Sequence, residues 1–176
     1  MELKYTVSGQ WDNEPDSKDW EAHGLNCAMR RNMSSGNWCG YVGVPAGHPW
    51  YGKNYSDKVS VSKDIINRPI ELDKIGIIGL FCQSLSEDNI ADGEIRIEMA
   101  IDVHGGLTYS SSGADGCLLK GLWWFGFDCA HHGDLSPAML DYRFGHEIYR
   151  DEIYVTSETE SLARQISALD PAPAID

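Results

Sequence analysis

Hydrophobic and polar positions alternate in short runs along this chain, then settle into one helical stripe near the C-terminus. Leu25–Arg31 places Leu25, Cys27 and Met29 on one face, and Trp38–Val44 follows the turn-like Asn32–Asn37. The two runs predict an antiparallel hairpin. Gly40 and Gly43 weaken the second strand and point to a bulge or a close backbone approach. The plainest alternation starts at Gly93, with Ile95, Ile97, Met99, Ile101 and Val103 set against Glu94, Arg96, Glu98 and Asp102. That is the pattern of a half-buried strand. Leu122–Cys129 is the expected return strand. Pairing it with the 95–103 run predicts a long hairpin, which need not bring His104 to Asp128. Asp151–Leu169 predicts a helix: acids open it, Val155, Leu162, Ile166 and Leu169 form its apolar stripe, and Pro171 and Pro173 end it.

The remaining stretches read as connections. Met1–Ala22 is acidic and turn-rich, with Trp11 and Trp20 as anchors, and His23 falls in a loop before Gly24. Pro45–Gly52 is too rich in Pro and Gly for regular structure and sets His48 on a rigid aromatic turn. Ile75–Leu85 suits a buried strand or a short helix, and periodicity does not choose between them. The expected fold is α+β: one domain over 1–176, a mainly antiparallel sheet covered by a C-terminal helix at 151–169. Residues 1–22 form an acidic N-terminal segment and 53–94 an insertion.

Composition narrows the classes. A chain of 176 residues can bury a core without metal or disulfide staples. Its net charge of −13, from 27 acids and 14 bases, repels nucleic-acid backbones, so no nucleic-acid partner is expected. Five cysteines without a C-x-x-C pair argue against a disulfide framework and a zinc ribbon. Met1–Gln10 lacks the apolar core of a leader, and no window has the length of a membrane span. A soluble, cytoplasmic protein with reduced thiols is expected. A homo-oligomer is left open, since no heptad run specifies one.

The candidate chemistry concentrates in Leu122–Asp134, where an aromatic block ends in Asp128, Cys129, His131, His132 and Asp134, and in Val103–Tyr109, which carries His104, Thr108 and Tyr109. Three readings compete. A metal site could draw on His104, His131 and Asp134, yet no diagnostic spacing is present; no cofactor is expected, and a divalent metal is left open. A hydrolase could use His104, Asp128 and His131 as acid–base residues, with Cys129 or Thr108 as nucleophile or donor. No nucleophile elbow supports it, and whether the chain is an enzyme stays open. A pocket for a small nucleotide-like ligand could stack a base on Tyr109, Trp123 or Trp124. His48, His104, Thr108, Asp128, His131, Arg143 and Arg150 would then supply polar contacts. Against all three, a Trp-Trp-Phe run is first of all hydrophobic core.

Five blocks in order, C-G-Y-V-G-V-P at 39–45, G-H-P-W-Y-G at 47–52, V-H-G-G-L-T-Y at 103–109, W-W-F-G-F-D-C-A-H at 123–131 and Y-R-D-E-I-Y-V at 149–155, resemble a widespread family of small, largely uncharacterised bacteriophage and prophage proteins. The resemblance covers most of the chain from about Trp11, and the segment between Tyr55 and Arg96 is longer than the family leads one to expect. It implies a setting, a phage-derived protein inside a bacterial host cell, where accessory genes often counter host defence. It carries over no catalytic assignment. The leading expectation is therefore an anti-defence protein that sequesters a small nucleotide-derived immune signal. The alternatives are a hydrolase of such a signal and an acidic inhibitor of a host defence protein.

Overall fold

The computed structural model describes residues 5, 7–60, 94–113, 117–142 and 145–168. Its centre is a five-stranded sheet built from β1 (Ser17–Ala22), β2 (Leu25–Arg31), β3 (Trp38–Pro45), β6 (Tyr109–Ser111) and β7 (Leu122–Asp128), in the order β1-β2-β3-β7-β6. Every neighbouring pair is antiparallel. A second, two-stranded sheet pairs β4 (Lys58–Ser60) with β5 (Glu94–Arg96). The single helical turn α1 (Ile97–Ala100) precedes β6, and α2 (Glu152–Ala168) closes the described chain. The class is α+β, with a mainly antiparallel sheet and a C-terminal helix packed on it.

Strand parity sorts the sheet into two unlike faces. Trp38, Val42 and Val44 of β3 and Phe125 and Phe127 of β7 turn toward α2 and form the main core with Val155, Leu162, Ala163 and Ile166. These helix positions recur at the spacing of one apolar stripe. Gly40 lets helix and sheet close up, because a Cβ there would stand 2.4 Å from Thr159 Oγ1. The expected close approach is at this glycine. The opposite face carries a smaller cluster of Ala28, Leu118 and Trp124 edged by Tyr41 and Tyr109, then turns polar toward Asp128.

The helix start is tied down from two directions. Asp151 caps it by accepting from the Tyr154 N–H at 2.8 Å, and Glu14 accepts from the Glu152 N–H at 3.1 Å. Glu14 also accepts from Arg31 at 2.8 Å, Trp38 Nε1 at 3.0 Å and the Tyr149 hydroxyl at 2.5 Å. Burial opposes its charge, but these hydrogen bonds outweigh burial and hold its carboxyl below the usual range. The acidic N-terminal segment is thus a clamp, with Trp11 buried edge-on against Tyr149. Its last part, Ser17–Ala22, is an edge strand and not the turn-rich connection expected.

Two further expectations are corrected. Gly93 lies outside the described residues, and over 94–103 the alternation is a strand only at Glu94–Arg96, whose partner is β4. Beyond it the chain turns once and runs beside α2. There Gln165 brackets Asp102, accepting from its N–H at 2.9 Å and donating to its carbonyl at 2.7 Å, while Glu158 accepts the His104 N–H at 3.0 Å. Helix side chains satisfy this backbone, so no strand ladder is needed. Ile97, Ile101 and Val103 are buried as the pattern demanded; what the pattern could not specify was the cover. In consequence the long hairpin does not form: β7 pairs with β3 and β6. The Ile75–Leu85 stretch, Leu169 and the terminal prolines lie outside the described residues. Among the described residues no helix is long and apolar enough to cross a membrane.

Candidate functional site

The chain leaves β7 at Asp128 and folds into a tight loop. The His131 N–H donates to Asp134 Oδ2 at 3.1 Å, and the Asp134 N–H returns to the His131 carbonyl at 2.9 Å. This turn drives the Asp134 side chain inward until it is 1% exposed. There it meets two elements that are distant in sequence. His104 Nε2 lies 2.7 Å from Oδ2, and Arg150 Nε donates to Oδ1 at 2.8 Å. Burial opposes the Asp134 charge, but hydrogen bonds from His104 and Arg150 outweigh it and hold the carboxyl below its ordinary range.

An ionised carboxylate only accepts, so the proton of this pair sits on His104 Nε2. The other ring nitrogen, Nδ1, is 3.0 Å from the Tyr154 hydroxyl. Burial pushes that phenol up to about 12, so it keeps its proton, and its hydroxyl can donate to Nδ1 or accept from it. Arg150 lays its guanidinium on the Tyr154 ring at 4.8 Å. His104, Asp134, Tyr154 and Arg150 thus form a closed knot in which both imidazole nitrogens are occupied. The knot joins the 103–106 turn, the 131–134 loop and the start of α2.

His131 stands beside the knot, its ring 5.7 Å from that of His104. Gly105 makes room for it: a Cβ there would come within 1.9 Å of His131 Nε2, and Gly105 has φ +67. Only glycine meets both demands without strain. On its other side His131 Nε2 lies 3.7 Å from Asp128 Oδ1, too far for a hydrogen bond. The loop therefore divides the ionisable cluster by the sheet: Asp134 falls under α2, whereas Asp128 projects from the open face.

On that open face a groove of 330 Å³ runs over β3, β6 and β7, with Asn37, Tyr41, Thr108, Tyr109 and Asp128 in its walls. Thr108 Oγ1 donates to Asp128 Oδ2 at 2.9 Å and the Ala130 N–H to Oδ1 at 3.1 Å, so the carboxylate is fixed with lone pairs to spare. Tyr41 and Tyr109 meet edge to face at 5.2 Å. Cys39 also lines it, its thiol pushed up to about 11 by burial, which disfavours a thiolate. A smaller hollow of 210 Å³ flanks the loop on the side of His132, Ser136, Leu140 and Glu147.

The candidates named from sequence therefore separate. His104, His131, Asp134 and Arg150 come together at the knot; Thr108, Tyr109 and Asp128 come together in the groove. His48 goes elsewhere, with Nδ1 accepting from the Trp50 N–H at 3.1 Å in a packed aromatic turn. Trp124 is 0% exposed and donates to the Leu119 carbonyl at 3.0 Å, so it has no open face on which a base could stack. Trp123 is half-buried and donates to the Lys53 carbonyl. Burial drives the Cys129 thiol up, which removes it as a nucleophile. Arg143 lies outside the described residues. Among the described residues no three His, Cys, Asp or Glu side chains converge as metal ligands, and the His104–Asp134 contact takes up a donor the metal reading required.

Sequence reasoning missed Tyr41, Tyr154 and Glu158. The signals were present: Arg150, Tyr154 and Glu158 recur at helical spacing beside the apolar stripe, and Tyr41 is out of phase with Trp38, Val42 and Val44. Comparison with family models, curated proteins and solved structures finds no match to this chain.

Proposed function

We propose that this is a ligand-sequestering protein of the phage type, which takes up a small nucleotide-derived immune signal and holds it without turnover. The observation that carries the reading is the groove on the open sheet face. It combines two tyrosine rings with a fixed carboxylate, and its 330 Å³ falls within the usual range for small-molecule sites. A sequestering protein needs affinity and not a poised acid–base pair. His104, with one nitrogen on Asp134 and the other on Tyr154, has none to offer a substrate while the knot is closed. A hydrolase that used His104 would have to open that knot first, whereas one that used His131, which stands outside the knot with Nε2 3.7 Å from Asp128 Oδ1, would not.

Calorimetric titration with cyclic dinucleotides and ADP-ribose-type signals tests the proposal. Saturable binding with ligand recovered intact by chromatography is the expected result. Silence across the panel rules it out, and a product peak abolished by His104→Ala or His131→Ala replaces it with the enzymatic reading.

A further inference from the structure

Resting on that reading, we infer that the groove selects the uncharged, hydrogen-bond-donating end of a nucleotide-derived ligand and leaves its phosphates to solvent. The shared chemistry is a pair of adjacent donors, offered either by a ribose cis-diol or by the N–H edge of guanine.

The charges in the groove give the first argument. Among the described residues Asp128 is its one acidic side chain, and no Lys, Arg or His lines it. Arg30, on the strand paired with Cys39, is held by Asp19 at 2.6 Å and by the carbonyls of Cys117, Met29 and Lys18. Arg150, beside the loop, is fixed to Asp134 under α2, and the nearest described basic side chain to Asp128 that the ion pairs show, His131, stands 3.7 Å from its Oδ1 outside the groove lining. A phosphate entering the groove would face a carboxylate at short range within a chain of net charge −13.

Hydrogen-bonding capacity gives the second. The Thr108 hydroxyl proton is already given to Asp128, leaving the Thr108 oxygen as an acceptor. The Asn37 amide donates to the Trp38 carbonyl, while its carbonyl accepts from Ser35. Asp128 retains open lone pairs beside the Thr108 oxygen, so the wall at Asp128 presents acceptors and calls for donors on the ligand. A carboxylate accepts two neighbouring O–H or N–H groups side by side, the geometry that acidic residues use on a ribose diol or a base edge. Tyr41 and Tyr109 add apolar ring surface for the sugar or base. The volume lies at the small end of ligand sites and suits one nucleoside better than a dinucleotide.

Ligand-observed NMR and calorimetry on the full chain, with guanosine, adenosine, their 2′,3′-dideoxy forms, GMP and inorganic phosphate, test the inference. Guanosine and GMP should bind within about threefold of each other with little salt dependence, and inorganic phosphate should not compete. Asp128→Asn should weaken guanosine about ten- to a hundredfold. If the diol is the handle, dideoxyguanosine fails and adenosine binds; if the base edge is the handle, the reverse holds. GMP binding more than tenfold tighter than guanosine, or unchanged affinity in Asp128→Asn, overturns the inference while leaving nucleotide sequestration standing. No binding by any nucleoside or nucleotide overturns both.

Discussion

The two faces of the central sheet treat the same residue types in opposite ways. Under α2, Asp134 is driven to 1% exposure and saturated by His104 and Arg150; on the open face, Asp128 is 31% exposed and keeps room for a visitor. Both are aspartates, six positions apart, on one loop. What separates them is parity at the end of β7 and the cover above each. A carboxylate beneath a helix must be paired, because unpaired buried charge is too costly, whereas one that stays partly exposed on a sheet face can wait for its partner. Density of ionisable groups in sequence therefore locates a region of interest, and cover decides which members are free to act.

The largest expected effect should come from the knot. Asp134→Ala strands His104 and Arg150, and breaking a buried pair costs about 3–5 kcal/mol. In a chain of this size that lowers the melting temperature by roughly 6–20 °C, readable by calorimetry or circular dichroism. The same residue gives the knot an acid signature. Its folded pKa lies below the unfolded one, so its stabilisation is complete above the ordinary carboxylate value of about 4 and is lost as pH falls through the depressed folded value. Glu14 acts in the same direction. Acid unfolding of Asp134→Asn should accordingly show a shallower dependence on pH than the parent.

A paired substitution sharpens the boundary between knot and groove. Gly105→Ala meets both a positive φ and His131, and should cost about 2–4 kcal/mol from backbone strain plus overpacking. Gly106→Ala has φ +84 with nothing within 4 Å, so only the left-handed backbone penalty of about 1–2 kcal/mol applies. Equal losses of melting temperature would mean that His131 is not packed against Gly105. The smallest effect belongs to the groove: Asp128→Asn should change stability by less than about 1 kcal/mol, since its contacts are partly solvated and can be replaced.

How much of this was legible follows the same division. The apolar stripe of α2 and the β2–β3 hairpin could be read because period and cover agree there. The 95–103 run declared that Ile97, Ile101 and Val103 are buried, but a helix lying alongside buries them as well as a strand ladder does. Ser17–Ala22 hid its strand character because Lys18, Asp19 and Glu21 load it with charge, a common protection for a sheet edge. The polar cluster at 128–134 was visible as a cluster. Its division between two faces was not, since that depends on where β7 ends and on what covers each side. Tyr41 stayed unnoticed for a related reason: among apolar neighbours it reads as core until one knows that no described helix covers its face of the sheet.

The most direct measurement titrates one nucleotide panel against Asp128→Asn and His104→Gln, each at a temperature where its fold is intact by circular dichroism. The account predicts opposite outcomes: Asp128→Asn keeps its melting temperature and loses binding at least about tenfold, while His104→Gln loses melting temperature and keeps binding. A His104→Gln protein that is folded but cannot bind, beside an Asp128→Asn protein that binds like the parent, would contradict it.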